Sequence, residues 1–272
     1  MYYLPNGSEV WILRRILVTS CKGGVGKSTV SIGIGVALAT LGKRVLLIDF
    51  DLGNRSLDLM LGMQDNLIYD ICDLTSGRAD CETVVHVHPE HPNLAFIGAP
   101  FRYAGDADAE SFANALQLLE ETYDFDFVIV DTSGGAHESV AISAPACDIG
   151  LIVSSQNPTS IRAAEKSGMI LDENNVETQY LIINGFDTDE ETFFQRAGVL
   201  EMIDRTRTPL LGIIPQDTQI NLLSEKGKSV FGRKKKNNSR TAFENIARRL
   251  CGENVPLMKN FKGLKRGRFL FR

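Results

Sequence analysis

Short, apolar, β-branched-rich runs recur along the chain: Ile16–Ser20, Val45–Ile48, Leu94–Ile97, Phe127–Val130, Ile149–Ser154, Tyr180–Ile183 and Leu211–Ile214. Each has the length of a strand and few polar interruptions, as strands buried on both faces require. Helical stretches lie between them. Lys27–Leu41 is closed by Gly42, Asp106–Glu121 is amphipathic, and Pro158–Leu171 opens with a proline suited to a first turn. A further helix is expected from about Thr241 to Leu250. This alternation predicts an α/β fold: a single-domain, doubly wound, mostly parallel sheet with helices on both faces. A length of 272 residues and a hydrophobic content of 43% suffice for one large core. There is no internal repeat, and the only linker-like stretch is the basic segment Gly232–Ser239.

The first strand runs into Cys21-Lys22-Gly23-Gly24-Val25-Gly26-Lys27-Ser28-Thr29, and a helix follows. A glycine-rich turn between strand and helix presents backbone N–H groups and a helix N-terminus, which together form an anion nest. Glycine lets the backbone turn tightly and approach phosphate oxygens without an intervening Cβ. The spacing therefore predicts a P-loop: Gly23, Gly24, Val25 and Gly26 cradle phosphates, and Lys27 reaches the β- and γ-phosphates. The Ser28 hydroxyl ligates Mg²⁺, and Thr29 is placed for a more distal phosphate.

A phosphate site needs carboxylates to hold the metal and orient a water. Leu46-Leu47-Ile48-Asp49-Phe50-Asp51 supplies two at the C-terminal end of the second strand, the edge where open α/β sheets bind ligands. Asp49 and Asp51 are two apart, so on a strand they share a face. Phe127-Val128-Ile129-Val130-Asp131 ends in a third acid, as in a Walker B element, with Asp131 expected at Mg²⁺ through its water shell.

The phosphate loop carries a second lysine, Lys22, in the form K-G-G-x-G-K-[ST]. In this it resembles the deviant Walker A ATPases of the MinD/ParA class. The segment Asp49–Gly62, with Asp51-Leu52-Gly53-Asn54-Arg55-Ser56-Leu57-Asp58 at its centre, is similar to the MinD branch. So are Leu67–Asp70, Asn245–Leu250 and Gly252–Pro256. The resemblance extends from about Arg15 to Pro256. It implies an ATPase in which Lys22 reaches across a nucleotide-sandwich homodimer, formed on ATP binding, to the partner's phosphates. It further implies that Asp51 orients the attacking water, that Asp49 lies near the metal and switch, and that Asn184, Pro215 and Asp217 border the adenine base. Hydrolysis is expected to be slow and partner-stimulated. The implied partners are a division inhibitor of the MinC kind and a positional regulator such as MinE or a polar scaffold. Four positions depart from the family pattern: Ser133 replaces the usual proline, Ser56 a common asparagine, and Ala163 and Ala164 occupy a stretch often acidic.

Charge adds one more element. The net charge of −5 divides unevenly: Arg233–Arg272 holds 13 Lys and Arg against two acids, and the remainder 16 against 32. An acidic body with a basic end suggests that the end meets an anionic surface, membrane or nucleic acid, or is simply solvated. In Pro256–Arg272, Leu257, Phe261, Leu264 and Phe271 share one helical face, although Arg268 falls there too and Gly263 and Gly267 weaken the helix. MinD proteins carry a membrane-targeting amphipathic helix at this place, so the resemblance favours an anionic membrane over nucleic acid. The chain is thus divided into an extension (1–14), an ATPase domain (15–255) and a basic amphipathic tail (256–272).

No stretch approaches the roughly 18 apolar residues of a membrane-spanning helix. The five cysteines are scattered, with no Cys-x-x-Cys pair, which fits a reducing cytosol. Cytoplasmic location with peripheral attachment to the inner face of the cell membrane is expected. The division role competes with two relatives of the same loop: a FlhG-type regulator of flagellar number and a ParA-type DNA-segregation ATPase.

Overall fold

A computed structural model describes residues 2–3, 9–10, 13–105, 107–135, 137–187, 197–224, 226–228, 231 and 237–258. Eight strands form the main sheet: β1 (Arg14–Thr19), β2 (Val45–Phe50), β3 (His86–His88), β4 (His91–Ile97), β5 (Phe127–Thr132), β6 (Ile149–Ser154), β7 (Thr178–Phe186) and β8 (Leu210–Pro215). Their order is β8-β7-β6-β1-β5-β2-β4-β3. All pairs are parallel except β3 with β4. A two-residue pairing, Tyr2–Tyr3 with Glu9–Val10, stands apart from this sheet.

The seven expected strands are all present, and the doubly wound class is borne out. The short edge strand β3 is additional. His86-Val87-His88 contains no apolar run, and only its pairing with β4 makes it a strand.

The period of two sorts side chains onto two cores. Ile16, Val18, Val45 and Leu47 face helices α1 (Lys27–Thr40) and α8 (Asn238–Leu250). Leu17, Leu46, Ile48 and Phe50 face the opposite layer, where α3 (Ala109–Thr122), α4 (His137–Ser143), α5 (Pro158–Glu173) and α6 (Val199–Thr206) lie. Helix α2 (Leu57–Leu61) packs against α1 and against α7 (Thr218–Ser224). A Cβ built on Gly33 would fall 2.3 Å from the Phe243 ring, so α1 and α8 approach through a glycine. Phe243 is itself fully buried, a contribution of roughly 2–3 kcal/mol.

Helix α8 begins three residues before the expected start. The Asn237 side chain accepts the Arg240 backbone N–H at 2.8 Å, a cap hidden in what the sequence presents as a basic loop. The basic residues Arg233–Lys236, the tail from Lys259 onward and most of the N-terminal extension lie outside the described residues. Among the described residues, no helix is long and apolar enough to cross a membrane.

Candidate functional site

The loop from Ser20 to Gly26 joins β1 to α1 at the C-terminal edge of the sheet. Gly24 and Gly26 have φ of 76° and 88°, values that L side chains rarely adopt. Gly26 is constrained a second time. A Cβ there would lie 2.2 Å from Asn184 Nδ2, and that nitrogen donates to the Val25 carbonyl at 2.8 Å. The end of β7 is thereby tied to the phosphate loop. Gly134, just beyond β5, closes the other side: a Cβ on it would meet Gly23 Cα at 2.8 Å and Lys27 Nζ at 3.0 Å.

Lys27 is only 7% exposed. Burial lowers its pKa, and the nearby Asp131, Asp51 and Cys21 pull it back up. Asp49 and Asp131 are paired in register across β2 and β5 and are 0% and 1% exposed.

Asp49 is heavily engaged with its own chain. Its Oδ1 accepts the Asp51 N–H at 3.1 Å, and its Oδ2 accepts those of Ser56 (3.1 Å) and Leu57 (3.0 Å). It therefore shapes the turn into α2. Burial, reinforced by Asp131, pushes its pKa up to about 7 despite these three bonds. Asp131 differs. Ser31 Oγ donates to its Oδ1 at 2.7 Å, while its Oδ2 is buried without a hydrogen-bond partner among the described residues. Burial pushes its pKa up to about 6, with the Ser28 and Ser31 hydroxyls and Lys27 opposing. Asp51 is half-buried; burial raises its pKa, and Asn54 and Lys27 oppose the rise.

Asn184, Pro215 and Asp217 line one cleft of about 580 Å³ beside the phosphate loop, with Gln156, Asn157 and Pro158 on the opposite wall. The second lysine, Lys22, reaches the first turn of α5: its Nζ donates to Thr159 Oγ1 at 2.8 Å. A phosphate nest, a buried lysine, two buried acids and an open cleft thus meet at one sheet edge.

The chain is similar to known proteins. The family model for the CobQ/CobB/MinD/ParA nucleotide binding domain matches residues 16–230. The septum site-determining protein MinD of Synechocystis is 32% identical over 246 residues, covering 90% of this chain and 92% of that protein. Its Bacillus subtilis counterpart is also 32% identical, covering 89% and 90%. The chain belongs to the MinD family. Among solved structures, the MinC:MinD cell division protein complex of Aquifex aeolicus aligns with a TM-score of 0.82 at 30% identity, covering 91% of this chain and 99% of that one.

The MinD-like segment after Asp51 acquires a physical role from the structure. Arg55 and Asp58 form a buried ion pair at 2.6 Å, and the Arg55 guanidinium lies 4.4 Å from the centroid of the exposed Phe101 ring. The departures from the MinD pattern are accommodated locally. Ser133 exchanges a 2.9 Å hydrogen bond with Ser139, the Ser56 N–H binds Asp49, and Ala164 is packed in the core.

Asp217 lines the cleft beside the phosphate loop, yet its oxygens are already engaged. Oδ1 accepts the Gln219 N–H, and Oδ2 accepts Asn237 Nδ2 and the buried Ser239 hydroxyl, all at 2.9 Å. It joins the base-side loop to the first turn of α8. Asp217→Ala removes a helix cap and strands a buried hydroxyl, an expected cost of about 2–3 kcal/mol. Chemical denaturation of the ligand-free protein checks this, and an unchanged midpoint would refute it.

Sequence reasoning did not single out Ser31, Gly134, Gln156 or Asn157. Gln156 is buried and links Asp187 to Ala197: its Oε1 accepts the Asp187 N–H at 2.9 Å and its Nε2 donates to the Ala197 carbonyl at 3.4 Å. A buried glutamine after a strand carries no sequence signal of its own. Asn157, by contrast, stands before Pro158 in a recognisable cap position and accepts the Thr159 N–H at 3.0 Å.

Proposed function

We propose that this MinD-family protein is an ATP-dependent, dimerising membrane switch that regulates where the division septum forms. The residues fit a magnesium nucleotide. The phosphate loop offers backbone N–H groups, Ser28 a hydroxyl, and Asp131 a buried carboxylate oxygen with no other partner among the described residues. When bound, Mg²⁺ would neutralise phosphate charge at Ser28 and Asp131, with Asp49 beside it. Lys27 holds the β- and γ-phosphates, Asp51 orients the water that attacks the γ-phosphate, and Asn184 and Pro215 border the adenine. Asp217 supports that border from behind through α8.

The observation that carries the dimer is Lys22. Its ammonium, at the mouth of the loop, meets the Thr159 hydroxyl and has no carboxylate partner among the described residues. A cation held only by a neutral hydroxyl can be redirected to a phosphate at little cost. Across a two-fold axis, the triphosphate of a second copy is the anion it reaches, and ATP thereby holds the dimer together. ADP lacks the terminal phosphate, so hydrolysis releases it. A division inhibitor of the MinC kind and a positional regulator, MinE or a polar scaffold, are the partners that read and end the ATP state. The basic tail anchors the dimer to the inner face of the membrane, and two tails on one dimer gain about a hundredfold or more in avidity over one.

Molar mass measured by light scattering tests the dimer. Monomer with ADP and dimer with a non-hydrolysable ATP analogue are expected. Lys22→Ala should bind the analogue yet stay monomeric and lose hydrolysis; a variant that dimerises as well as the parent would refute the role given to Lys22.

A further inference from the structure

Ser31 sits one turn beyond Lys27 on α1, fully buried and outside the phosphate-loop motif. Its Oγ lies 2.7 Å from Asp131 Oδ1 and 3.1 Å from the Lys27 carbonyl oxygen. A hydroxyl has one proton to give. The carboxylate is both the nearer and the more strongly attracting acceptor, so the proton goes to Asp131. The two oxygens of Asp131 are thereby made unequal. Oδ1 is occupied by an element of the P-loop helix, whereas Oδ2, equally shut off from solvent, has no partner among the described residues. Asp131 also stands in register with Asp49, whose two oxygens accept three backbone N–H groups. Of these two buried acids, Asp131 is the one with a carboxylate oxygen left to offer.

We infer that Ser31 is a positioning residue for the divalent-cation site: it pins Asp131 through Oδ1 and so presents Oδ2 to the cation that accompanies the nucleotide. The inference rests on the magnesium-nucleotide reading of the site. Without the Ser31 hydroxyl, the carboxylate can turn about its last bond and share itself between Ser28 and Lys27. The metal site is then poorly organised, while the phosphate nest is untouched. Partners that orient a metal ligand typically govern about 10- to 100-fold in metal affinity.

The test measures binding, with no turnover needed. Fluorescent ADP is titrated into the full-length protein at a series of Mg²⁺ concentrations and in EDTA. For Ser31→Ala, the Mg²⁺ concentration giving half the full effect on ADP affinity should rise about tenfold, while affinity in EDTA stays within about twofold of the parent. Ser31→Thr retains the hydroxyl and should need no more than about threefold extra Mg²⁺. In an Asp131→Asn background, Ser31→Ala should add no further shift, because its effect passes through the carboxylate. An unchanged Mg²⁺ requirement in Ser31→Ala, or an equal loss in EDTA and in Mg²⁺, would overturn the inference. So would a shift in Ser31→Thr as large as that of Ser31→Ala. If the parent itself binds ADP with no dependence on Mg²⁺, the reading of the whole site fails, a result distinct from a failure of Ser31 alone.

Discussion

Lys27→Ala is expected to weaken ADP and ATP binding by about a hundredfold or more, the largest single effect in this protein. Lys27 is buried, its ammonium within reach of the charges of Asp131 and Asp51 and close to Gly134. Burial disfavours its charge, so it is paired strongly with whatever anion enters the nest. Truncating one partner of a buried charge pair costs about 3–5 kcal/mol, and 1.4 kcal/mol corresponds to tenfold in affinity. The effect should be visible in both nucleotides, because Lys27 acts on binding itself. Lys22→Ala, at the mouth of the loop, should instead spare nucleotide binding. Fluorescent-nucleotide titration of both variants separates them; affinity in Lys27→Ala within about threefold of the parent would contradict the role assigned.

The second large effect is a gain in stability from damage to the site. In the ligand-free protein, Asp131 and Asp49 are buried opposite each other with pKa values pushed up to about 6 and about 7, against 3.8 for an ordinary aspartate. The sign follows from proton counting. Between about pH 4 and pH 6 the folded Asp131 holds a proton that the unfolded chain has released. Its favourable contribution is therefore complete below about pH 4 and is lost as pH rises through about 6. Above that, the buried charge penalises the folded state by roughly 3 kcal/mol, taking each pKa unit as 1.36 kcal/mol. Asp131→Asn has no charge to bury. Urea denaturation in EDTA should find it more stable than the parent by about that amount at pH 8, with the difference shrinking towards zero near pH 4. Added Mg²⁺ should strengthen the stabilisation that ADP gives the parent and do little to that which ADP gives the variant. A parent at least as stable as Asp131→Asn at pH 8 would show that the acids are not a metal site held open at the expense of the fold.

Both predictions concern residues visible in the sequence, and this has a physical reason. Lys27, Ser28 and the glycines act within one local strand-turn-helix unit, whose geometry follows from residue type and spacing alone. The same holds for the seven long strands, each announced by its own apolar run. What escaped notice depends on contacts between distant parts of the chain. Ser31 matters because Asp131, a hundred residues later, packs against it. Gly134 matters because the phosphate loop leaves no room for a side chain there. The edge strand His86–His88 exists through its pairing with β4, and Asp217 holds α8 as well as lining the cleft beside the phosphate loop. Asp49 illustrates the middle ground: its position at a strand end is legible, but its capture of three backbone N–H groups is a property of the folded turn.

On the proposed reading nucleotide state sets membrane residence, and co-sedimentation with vesicles tests that dependence. The full chain is mixed with vesicles containing anionic phospholipid, or separately with nonspecific duplex DNA, in the presence of ATP or ADP. Pelleting with the vesicles in ATP, release in ADP, no ATP-dependent retention on DNA, and loss of vesicle binding in Lys22→Ala are the predicted results. Vesicle binding that is indifferent to nucleotide, or ATP-dependent binding to DNA in its place, would rule out the membrane switch.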